Sequence, residues 1–513
     1  MQFTQGLHRA IQLHPDAIAT ICEDRKLTFT QLADRVSRIA GGFAAQGISA
    51  GQTVAMLGLN SDYYLQYYLA CAWSGVIANP VNFRWSSEEI IYSLNDSEAV
   101  GIILDDRFAP MAAEIKAACP TLQHLYYAGE NAEQFPELAP LESLITESEP
   151  VADGNYGDNS LFGVFYTGGT TGFPKGVMLS HDNLCTAPFG FLAEGGFPDG
   201  CIGLHVAPMF HLADMMQTMS LLLRGCTHVM QAVFTPENVL TDITKHNVTD
   251  LLIVPTMLQM MIDHPDFGDY DTSSLQRVYY GGSPFAEAAL DRALAALPNA
   301  KFMQGYGMTE SSAIITVLPW DQHYPENRHK GHTRSGGRPA LHTQLRIVDE
   351  NEAPLAAGEV GEIIFRSPGV MQGYLNKPEA TEEALRNGWM HTGDVGYIND
   401  EGYVFVIDRS KDMIISGGEN VYCTEVENAI SKHPSVTTSA VFGIPSEEWG
   451  EAVHAAVVLK PGSALTIEEL TAHCKQQIAG YKCPRSMDIV EALPMTGAGK
   501  VKKNELRDPY WKR

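Results

Sequence analysis

Short apolar runs alternate with amphipathic segments along the first part of the chain. Apolar residues recur at helical spacing in 28–47 and 88–96, and short apolar runs occupy 53–59, 100–105 and 124–129. Strands that alternate with helices in this way predict a parallel sheet covered by helices. The pattern resumes further along the chain, with strand-like runs at 162–167, 203–208, 250–255 and 277–282. We therefore predict an α/β protein with layered sheets.

The pattern changes after about residue 320. Short β-like runs separated by glycines occupy 333–408 and predict a β-rich subdomain. After them come helix-like segments at 424–433 and 465–478 and strand-like segments at 437–444 and 452–460. We therefore predict a large N-terminal domain, residues 1–408, and a small C-terminal α+β domain, residues 409–513, joined by a short hinge.

One apolar run raises the question of a membrane segment. The stretch from Tyr63 to Phe83 carries no charge and is long enough to span a bilayer. Because Ser74, Gly75 and Asn79-Pro80 interrupt it, we predict a buried helix followed by a strand or turn. The amino terminus lacks the apolar core of a signal peptide, so the cytoplasm is the expected compartment. The polar stretch 130–158 predicts a surface connection.

Composition narrows the choice of partners. The chain has 35 Lys and Arg against 61 Asp and Glu, a formal net charge of −26. This balance argues against nucleic acid or anionic lipid as the main partner, although backbone N–H groups and single lysines can still bind phosphate. The nine cysteines form no CxxC pair and lie mostly in apolar stretches, so we expect reduced core residues.

A glycine- and threonine-rich segment, FYTGGTTGFPKG at 165–176, follows one strand-like run. Its glycines allow backbone N–H groups to turn toward an anion, its threonines add hydroxyl donors, and Lys175 adds positive charge. It is not a Walker A loop, because Pro174 precedes Lys175 and Gly176 follows it. The segment predicts a phosphate-binding loop, with a plain surface loop as the alternative.

A second segment, QGYGMTE at 304–310, follows another strand-like run. Tyr306 offers a flat ring on which a base can stack, and Thr309 can donate a hydrogen bond to a phosphate. Glu310 supplies a carboxylate, the kind of ligand that holds Mg²⁺ between phosphate oxygens. The alternative is a glycine-rich turn with a helix-capping threonine.

Two further segments carry charged residues at the ends of β-like runs or in loops. Asp394 in WMHTGD and Arg409 after YVFVID can together hold the two hydroxyls of a ribose. Lys500 in PMTGAGK lies in a glycine-rich loop and can neutralise charge on a reacting phosphate. Taken singly, the better explanations are a turn aspartate, a surface ion pair and a solvated tail lysine.

Together and in this order, YTGGTTGFPKG, YGMTE, TGD, DRSKD and PMTGAGK resemble the adenylate-forming (AMP-binding) superfamily. Acyl-CoA synthetases, firefly luciferase and the adenylation domains of peptide synthetases belong to it, and the resemblance covers essentially the whole chain. One departure is Gly168, where the family often has Ser, which removes a hydroxyl donor. The resemblance implies that Mg-ATP activates a carboxylic acid as an acyl-adenylate, with pyrophosphate release, before transfer to a thiol such as CoA.

The resemblance also implies roles in binding ATP and Mg²⁺. The β- and γ-phosphates would be held by Thr167, Gly168, Gly169, Thr170, Thr171, Gly172 and Lys175. The adenine would lie against Gly281, Gly282, Ser283, Pro284, Tyr306 and Gly307. The ribose would be held by Asp394 and Arg409, the α-phosphate by Thr309 and the metal by Glu310. Lys500 would bridge the attacking carboxylate and the α-phosphate.

The family rotates its C-terminal domain between the two half-reactions. In this chain the hinge would be Lys411, and Gly417-Gly418 would line the tunnel by which the thiol enters. His211 resembles a catalytic position that gates the acyl site, although a packed histidine at a helix start is an equal alternative. The acyl pocket would be lined by His211, Met215, Tyr280 and Met308, with Met216, Tyr279 and Ala313 nearby.

The expected acid is hydrophobic, fatty or aryl-aliphatic, because no basic residue obviously awaits a second carboxylate. Asp214 would disfavour an anionic tail if it faced the pocket. The expected protein is a free-standing acyl-CoA synthetase of fatty acid or lipid metabolism that uses ATP, Mg²⁺ and CoA, with no nucleic acid partner; a homodimer is left open. The alternatives are an adenylation enzyme that loads a separate carrier protein, and a non-catalytic nucleotide-binding relative.

Overall fold

The computed structural model describes residues 1–167, 173–283, 285–409, 412–417, 419–495 and 501–511. Within these residues, three sheets are built from the chain up to Arg409, and a fourth is built from the residues after it. The predicted α/β class, with a large N-terminal part and a small C-terminal α+β part, is confirmed. The boundary after Asp408 stays a prediction.

The largest sheet has nine strands among the described residues, and its six central strands run parallel. Its edge strands are antiparallel to their neighbours. In spatial order the strands are Arg338–Pro339, Thr316–Leu318, Lys301–Tyr306, Arg277–Gly281, Asp250–Ile253, Ile202–His205, Thr227–Met230, Ile18–Cys22 and Arg25–Thr28.

A second sheet of eight described strands is parallel except at one edge, where the strand Lys175–Ser180 runs antiparallel to both of its neighbours. That edge carries the glycine-rich segment between two paired strands. In spatial order the strands are Gly373–Tyr374, Lys175–Ser180, Leu161–Thr167, Ile77–Pro80, Thr53–Leu57, Gly101–Leu104, His124–Tyr127 and Ala139–Pro140.

Helices separate and cover these two sheets. One core contains residues of both sheets and of the helices Gln5–Leu13, Phe29–Ala45, Asp62–Ser74, His181–Ala193 and Leu212–Arg224, which therefore form the central layer. The outer face of the nine-stranded sheet packs against Pro236–His246, Pro255–Ile262 and Glu287–Ala296. The eight-stranded sheet packs against Ser87–Asp96 and Ala112–Ala118. The layers thus alternate between helices and sheets.

The uncharged run from Tyr63 to Phe83 forms the buried helix Asp62–Ser74 followed by the strand Ile77–Pro80, as predicted. Among the described residues, no helix combines the length and the apolar character needed to cross a bilayer. The cysteines are free thiols, eight of them buried, as expected of core residues.

The polar stretch 130–158 is not only a surface connection. It contains the helix Leu141–Glu147, whose residues Leu141, Leu144 and Ile145 pack into the central core. The sequence suggested a loop because Glu, Ser and Thr surround these three apolar residues. Their spacing of three and four residues is the helical signal that the prediction missed.

The β-rich subdomain is an antiparallel sheet of the strands Gln344–Val348, Gly361–Arg366, Met390–Ile398 and Val404–Arg409. The C-terminal sheet contains Glu419–Val421, Ile414–Ser416, Gly450–Leu459, Val436–Ser446 and Ser486–Ile489, covered by the helices Cys423–Ser431, Ile467–Lys475 and Lys503–Trp511. The remaining short helices, most of them 3₁₀, are Ala109–Met111, Ala132–Gln134, Phe267–Asp269, Thr309–Ser311, Trp320–His323, Pro325–Arg328, His332–Arg334, Pro378–Ala384, Arg386–Gly388 and Gly480–Lys482.

A buried ion pair joins two central strands of the nine-stranded sheet. Asp250 is completely buried and accepts hydrogen bonds from Arg277 Nε at 2.7 Å and Arg277 Nη2 at 3.0 Å. Tyr279 Oη and Thr249 Oγ1 donate to the same carboxylate at 2.9 and 2.6 Å. Four donors therefore compensate the loss of water around Asp250.

We predict that Arg277→Met lowers the free energy of unfolding by about 3 kcal/mol, because it leaves a buried carboxylate without its cation. The matched control is Arg292→Met, which breaks an ion pair to Asp263 with both side chains 49% exposed. The control should cost about 0.5 kcal/mol. Urea unfolding followed by circular dichroism measures both, and equal shifts of the two midpoints would contradict the prediction.

Candidate functional site

The sequence-predicted nucleotide residues lie where neighbouring parallel strands end. The strands Arg277–Gly281 and Lys301–Tyr306 pair in register, with Gly281 opposite Gly305. Gly282 and Ser283 follow the first strand, and the segment 307–310 follows the second. In open α/β sheets, ligands bind outside the carboxyl ends of the strands. These two loops are therefore placed at the edge where a ligand is expected.

Two glycines in these loops are required by close backbone contacts. A Cβ atom on Gly281 would lie 2.3 Å from the carbonyl oxygen of Gly305, so no larger residue fits between the two strand ends. A Cβ atom on Gly307 would lie 1.9 Å from the carbonyl oxygen of Ala313. The glycines let the two loops run close together and close to a ligand.

The loop after Lys301–Tyr306 is held in a strained conformation. It passes through the 3₁₀ helix Thr309–Ser311 and then through Ser312 and Ala313, with φ of 55° and 93°. Ser312 Oγ donates to the carbonyl oxygen of Gly369 at 2.9 Å, which holds this turn in place. Backbone strain of this kind is maintained only where the surroundings enforce it, and it clusters at functional sites.

Tyr306, Asp394 and Arg409 form one hydrogen-bonded group. Tyr306 Oη donates to Asp394 Oδ2 at 2.6 Å, and Arg409 Nε lies 3.0 Å from Asp394 Oδ1. Asp394 and Arg409 are direct partners on adjacent strands of the β-rich subdomain. The carboxylate therefore uses one oxygen to fix the plane of the tyrosine ring and the other to hold the guanidinium.

Electrostatics keep Tyr306 and Arg409 protonated. Burial, followed by the charge of Asp394, raises the pKa of Tyr306 well above its ordinary value, so the phenol remains a donor. Burial lowers the pKa of Arg409, but the charge of Asp394, with smaller contributions from Tyr306 and Glu310, raises it more. Arg409 thus stays a cation at a site suited to a polar, anionic ligand.

Lys175, Tyr374 and Glu310 form a second group beside the first. Tyr374 Oη donates to Glu310 Oε1 at 2.8 Å, and Lys175 Nζ lies 4.9 Å from the centroid of the Tyr374 ring. Burial and then the charge of Glu310 raise the pKa of Tyr374, which keeps its hydroxyl protonated. The backbone N–H of Met371 donates to the carbonyl oxygen of Glu310 at 2.9 Å. Tyr374 therefore meets a cation, Lys175, at its ring and a buried carboxylate, Glu310, at its hydroxyl.

The predicted phosphate segment is described only at its two ends. Thr167 ends one strand, Lys175 begins the next, and the two are direct partners in the antiparallel pair. Several predicted residues lie outside the described part of the chain: Gly168, Gly169, Thr170, Thr171, Gly172, Pro284, Lys411, Gly418 and Lys500. Lys175, at the second end, lies beside Tyr374, which donates to Glu310.

Glu310 is suited to a Mg²⁺ ion that is held jointly by the protein and by substrate phosphates, and less to a metal held by protein ligands alone. Among the residues that the structure describes, no three His, Cys, Asp or Glu side chains gather as a metal cluster. Mg²⁺ keeps several waters and commonly uses one or two carboxylates together with substrate phosphates. Glu310 is 7% exposed, and its carboxylate is oriented by the Tyr374 hydroxyl. A single positioned carboxylate beside Lys175 matches that requirement.

The structure brings together only part of the predicted acyl pocket. His211 precedes the helix Leu212–Arg224, and its ring packs 4.1 Å from that of Phe210. Met215 and Phe210 belong to the central core, and Met308 packs against it. Tyr280 instead belongs to the core on the outer face of the nine-stranded sheet, because neighbouring residues of a strand face opposite sides.

Tyr279 and Asp214 are engaged in structural contacts. Tyr279 Oη donates to Asp250 at 2.9 Å. Asp214 is completely buried, with each carboxylate oxygen 3.0 Å from His205 Nδ1, and Thr218 Oγ1 donates to it at 3.3 Å. Asp214 is therefore engaged by side chains of its own fold.

Gly417 lies in the C-terminal unit, at the turn between the strands Ile414–Ser416 and Glu419–Val421. Its φ of 62° is in the left-handed region, and its N–H donates to the carbonyl oxygen of Trp449 at 2.8 Å. A Cβ atom there would lie 2.8 Å from the Trp449 ring. The glycine is thus required by its own turn, whatever further role the position has.

Sequence reasoning missed Tyr374, although it connects the two groups of the site. It lies on the two-residue strand Gly373–Tyr374, which pairs with Val177 and Met178 at the edge of the eight-stranded sheet. The local sequence GYLN has no periodicity and no charged residue before Lys377. Only the pairing of distant segments places Tyr374 between Lys175 and Glu310.

Comparison with known proteins finds relatives over nearly the whole chain. The model of the AMP-binding enzyme family matches residues 7–375, and that of the AMP-binding enzyme C-terminal domain matches residues 425–500. A feruloyl-CoA synthase from an Amycolatopsis species is 38% identical over 504 residues, 97% of each chain. A fatty acid–[acyl-carrier-protein] ligase from Streptomyces coeruleorubidus is 34% identical over 508 residues, 98% of this chain and 95% of that protein.

A solved structure extends the similarity to the whole fold. The o-succinylbenzoate CoA synthetase of Bacillus subtilis, in complex with its acyl-adenylate intermediate, superposes with a TM-score of 0.85 at 29% identity. The match covers 98% of both chains. Both the large and the small sheet units of this chain are therefore found together in a known protein.

We predict that Tyr374→Phe weakens the binding of Mg-ATP about tenfold, because one hydrogen bond to a charged acceptor is lost while the ring beneath Lys175 is kept. The control is Tyr324→Phe, at a side chain that is 36% exposed outside the site. Isothermal titration calorimetry measures both dissociation constants. An unchanged constant for Tyr374→Phe would show that its hydroxyl does not orient Glu310.

Proposed function

Because the chain belongs to the AMP-binding enzyme family, among its AMP-forming acid–CoA ligases, we propose that it activates a hydrophobic carboxylic acid, fatty or aryl-aliphatic, and transfers the acyl group to CoA. One observation carries the proposal most directly. The segment 306–310 joins the Tyr306–Asp394–Arg409 group to the Lys175–Tyr374–Glu310 group. Groups suited to a nucleoside and groups suited to its phosphates thus lie side by side.

In the first half-reaction, a carboxylate oxygen of the acid attacks the α-phosphorus of ATP. The new oxygen–phosphorus bond replaces the bond to the leaving pyrophosphate, and an acyl-adenylate results. Positioning and neutralisation of charge dominate catalysis of such transfers. Arg409 and Asp394 hold the ribose, Tyr306 lies against the base, and Lys175 neutralises the leaving phosphates. A Mg²⁺ held by Glu310 would add charge neutralisation at the same phosphates.

In the second half-reaction, the thiol sulfur of CoA attacks the acyl carbonyl carbon. The carbon–sulfur bond forms, the bond to the phosphate oxygen of AMP breaks, and the thiol proton is released. Lys500 is assigned to the first half-reaction and Gly417-Gly418 to the entry of the thiol, with Lys411 as the hinge between the two arrangements. These assignments rest on the positions of the residues in the sequence.

The proposed acid is hydrophobic because of what surrounds His211. Met215 and Phe210 are buried beside it, Met308 packs against the same core, and methionine adapts readily to different apolar shapes. Asp214 is bonded to His205 and Thr218, so its carboxylate is engaged within the fold. One of the two relatives is named for an aromatic acid and the other for fatty acids. These names support a hydrophobic carboxylic acid as the substrate class and do not decide which acid it is.

A second candidate acceptor is a carrier protein. The relative that is 34% identical is named for transfer of a fatty acid to an acyl-carrier protein, so the thiol can belong to a protein-bound arm. The same two groups of residues serve either acceptor, since the adenylation step is common to both. A cytoplasmic location and a homodimer remain predictions.

We expect acid-dependent release of pyrophosphate from Mg-ATP when the purified protein meets a panel from acetate through long-chain fatty acids to hydroxycinnamates. Mass spectrometry of the products with CoA then identifies the acid class by its acyl-CoA. Release of pyrophosphate without formation of any acyl-CoA would favour a carrier protein as the acceptor. No acid-dependent pyrophosphate with any member of the panel would contradict the proposed function.

We predict that Lys500→Ala abolishes acid-dependent pyrophosphate release but spares the formation of acyl-CoA from supplied acyl-adenylate. The reason is that the ammonium group neutralises charge only while the carboxylate attacks the α-phosphate. Lys502→Ala is the control, because Lys502 pairs at 2.7 Å with Glu505 on the surface. Loss of both half-reactions in folded Lys500→Ala protein would refute this division.

A further inference from the structure

A buried ion cluster lies at the junction between the strand Val404–Arg409 and the C-terminal unit. Lys503 begins the last helix, and its ammonium nitrogen lies 2.8 Å from Glu427 Oε1 on the helix Cys423–Ser431. The backbone N–H of Val441 donates to the same oxygen at 2.8 Å. Glu427 therefore holds both the start of the last helix and the strand Val436–Ser446.

Asp408 is the second carboxylate of this cluster and belongs to the N-terminal part. It is 7% exposed, accepts the N–H of Arg409 at 2.8 Å and accepts the N–H of Cys423 at the start of the helix that carries Glu427. Burial raises the pKa of Asp408, and the charge of Lys503 opposes that rise. Asp408 therefore holds the start of the helix that carries Glu427, the partner of Lys503.

Lys503 itself remains charged. Burial lowers its pKa, but the charges of Glu427 and its other neighbours, Asp408 among them, raise it above the ordinary value. Removing a buried cation from such a cluster leaves its carboxylates uncompensated and disturbs their arrangement. The cluster is thus a fixed point between the two parts of the chain.

The position of Lys503 in the chain connects this fixed point to Lys500. Met495 and Val501 pair as an antiparallel bridge, and the N–H of Lys502 donates to the carbonyl oxygen of Pro494 at 2.8 Å. These contacts join the two ends of the segment that contains Lys500. Lys503 follows directly after them, so whatever fixes Lys503 also fixes the base of that segment.

The far end of the last helix is anchored separately. Tyr510 packs against Phe442 with ring centroids 5.9 Å apart, and Trp511 Nε1 donates to the carbonyl oxygen of Gly443 at 3.0 Å. Leu506 and Val501 pack against the same small core. Because these contacts hold the helix without the ion cluster, loss of the Lys503 charge should alter the helix start and leave the helix folded.

We propose that Lys503 is a positioning residue for adenylation: its ammonium group pairs with Glu427, on the helix whose first residue donates to Asp408, and so fixes the base of the segment that contains Lys500 relative to the strand end that carries Arg409. The inference rests on the proposed function in assigning the loop to the first half-reaction. The link between Asp408 and the C-terminal unit is independent of that assignment. Lys503 acts through its neighbours and is given no contact with substrate.

The test compares Lys503→Met with Lys503→Arg and with the neighbouring control Lys502→Met in the full chain. Lys503→Met should lower kcat for acid-dependent pyrophosphate release about tenfold with little change in KM for ATP, because positioning and not binding is lost. Formation of acyl-CoA from supplied acyl-adenylate should fall less than about threefold. Lys503→Arg should restore most of the first rate, since it keeps the charge, and Lys502→Met should match the unmodified protein.

A second readout needs no catalysis. Trypsin cleaves after Arg409 and Lys411, which flank the junction in the sequence. Under brief digestion, Lys503→Met should be cut at these sites faster than the unmodified protein. Lys502→Met should be cut at the same rate as the unmodified protein. Mass spectrometry identifies the fragments. Glu427→Gln is the second variant if Lys503→Met fails to fold, and it should change both readouts in the same direction.

The outcomes separate this inference from the proposed function. Unmodified protein without acid-dependent pyrophosphate release would overturn the function and, with it, the role of Lys503 in adenylation. If the unmodified protein is active, and folded Lys503→Met either keeps both half-reaction rates or loses both equally, the positioning role alone is overturned. Unchanged cleavage at the junction in Lys503→Met and Glu427→Gln would overturn the link to Asp408.

Discussion

The Asp394 carboxylate is the contact on which the rest of the site depends. It accepts from Tyr306 at 2.6 Å and lies 3.0 Å from the Arg409 guanidinium. Tyr306 ends a strand of the nine-stranded sheet, whereas Asp394 and Arg409 belong to the β-rich subdomain. A single acidic side chain therefore links two separately built sheets. Tyr374 connects the third sheet to the same place through Glu310.

This arrangement explains how a chain with a formal net charge of −26 can hold a polyphosphate. Lys175 and Arg409 are placed at the site itself, and the protonated hydroxyls of Tyr306 and Tyr374 satisfy Asp394 and Glu310. Glu310 is held by a neutral donor whose ring lies beneath Lys175, whereas Asp394 uses one oxygen for Tyr306 and the other to hold Arg409 at the site. Local geometry dominates over net charge because screening limits distant charges to about 10 Å or less at physiological salt.

Much of the fold was predictable because its signals are local. Periodicity gave the layered α/β class and the β-rich subdomain, and an uncharged run interrupted by Gly and Pro gave the buried helix at Tyr63; the structure confirms them. Thr309, Glu310, Asp394 and Arg409 were chosen as candidates by residue type and by the resemblance of their motifs to the family, which are local features too. Tyr374 was missed because its importance comes from pairing with Val177 and Met178, far away in the chain. Tyr280 was assigned to the acyl pocket because one sequence does not show which face of a strand a residue takes, and the structure places it in the opposite core.

The alternation of side chains along a strand also explains how one strand end serves two purposes. Asp408 and Arg409 are consecutive residues of the strand Val404–Arg409, so their side chains point to opposite faces. Arg409 turns toward Asp394 in the nucleotide group, whereas Asp408 turns toward Cys423 and the charge of Lys503 in the C-terminal unit. The strand end is therefore held on one face by Asp394 and on the other by the start of the helix Cys423–Ser431. The nucleotide group and the C-terminal unit thus share one strand end through separate contacts on opposite faces.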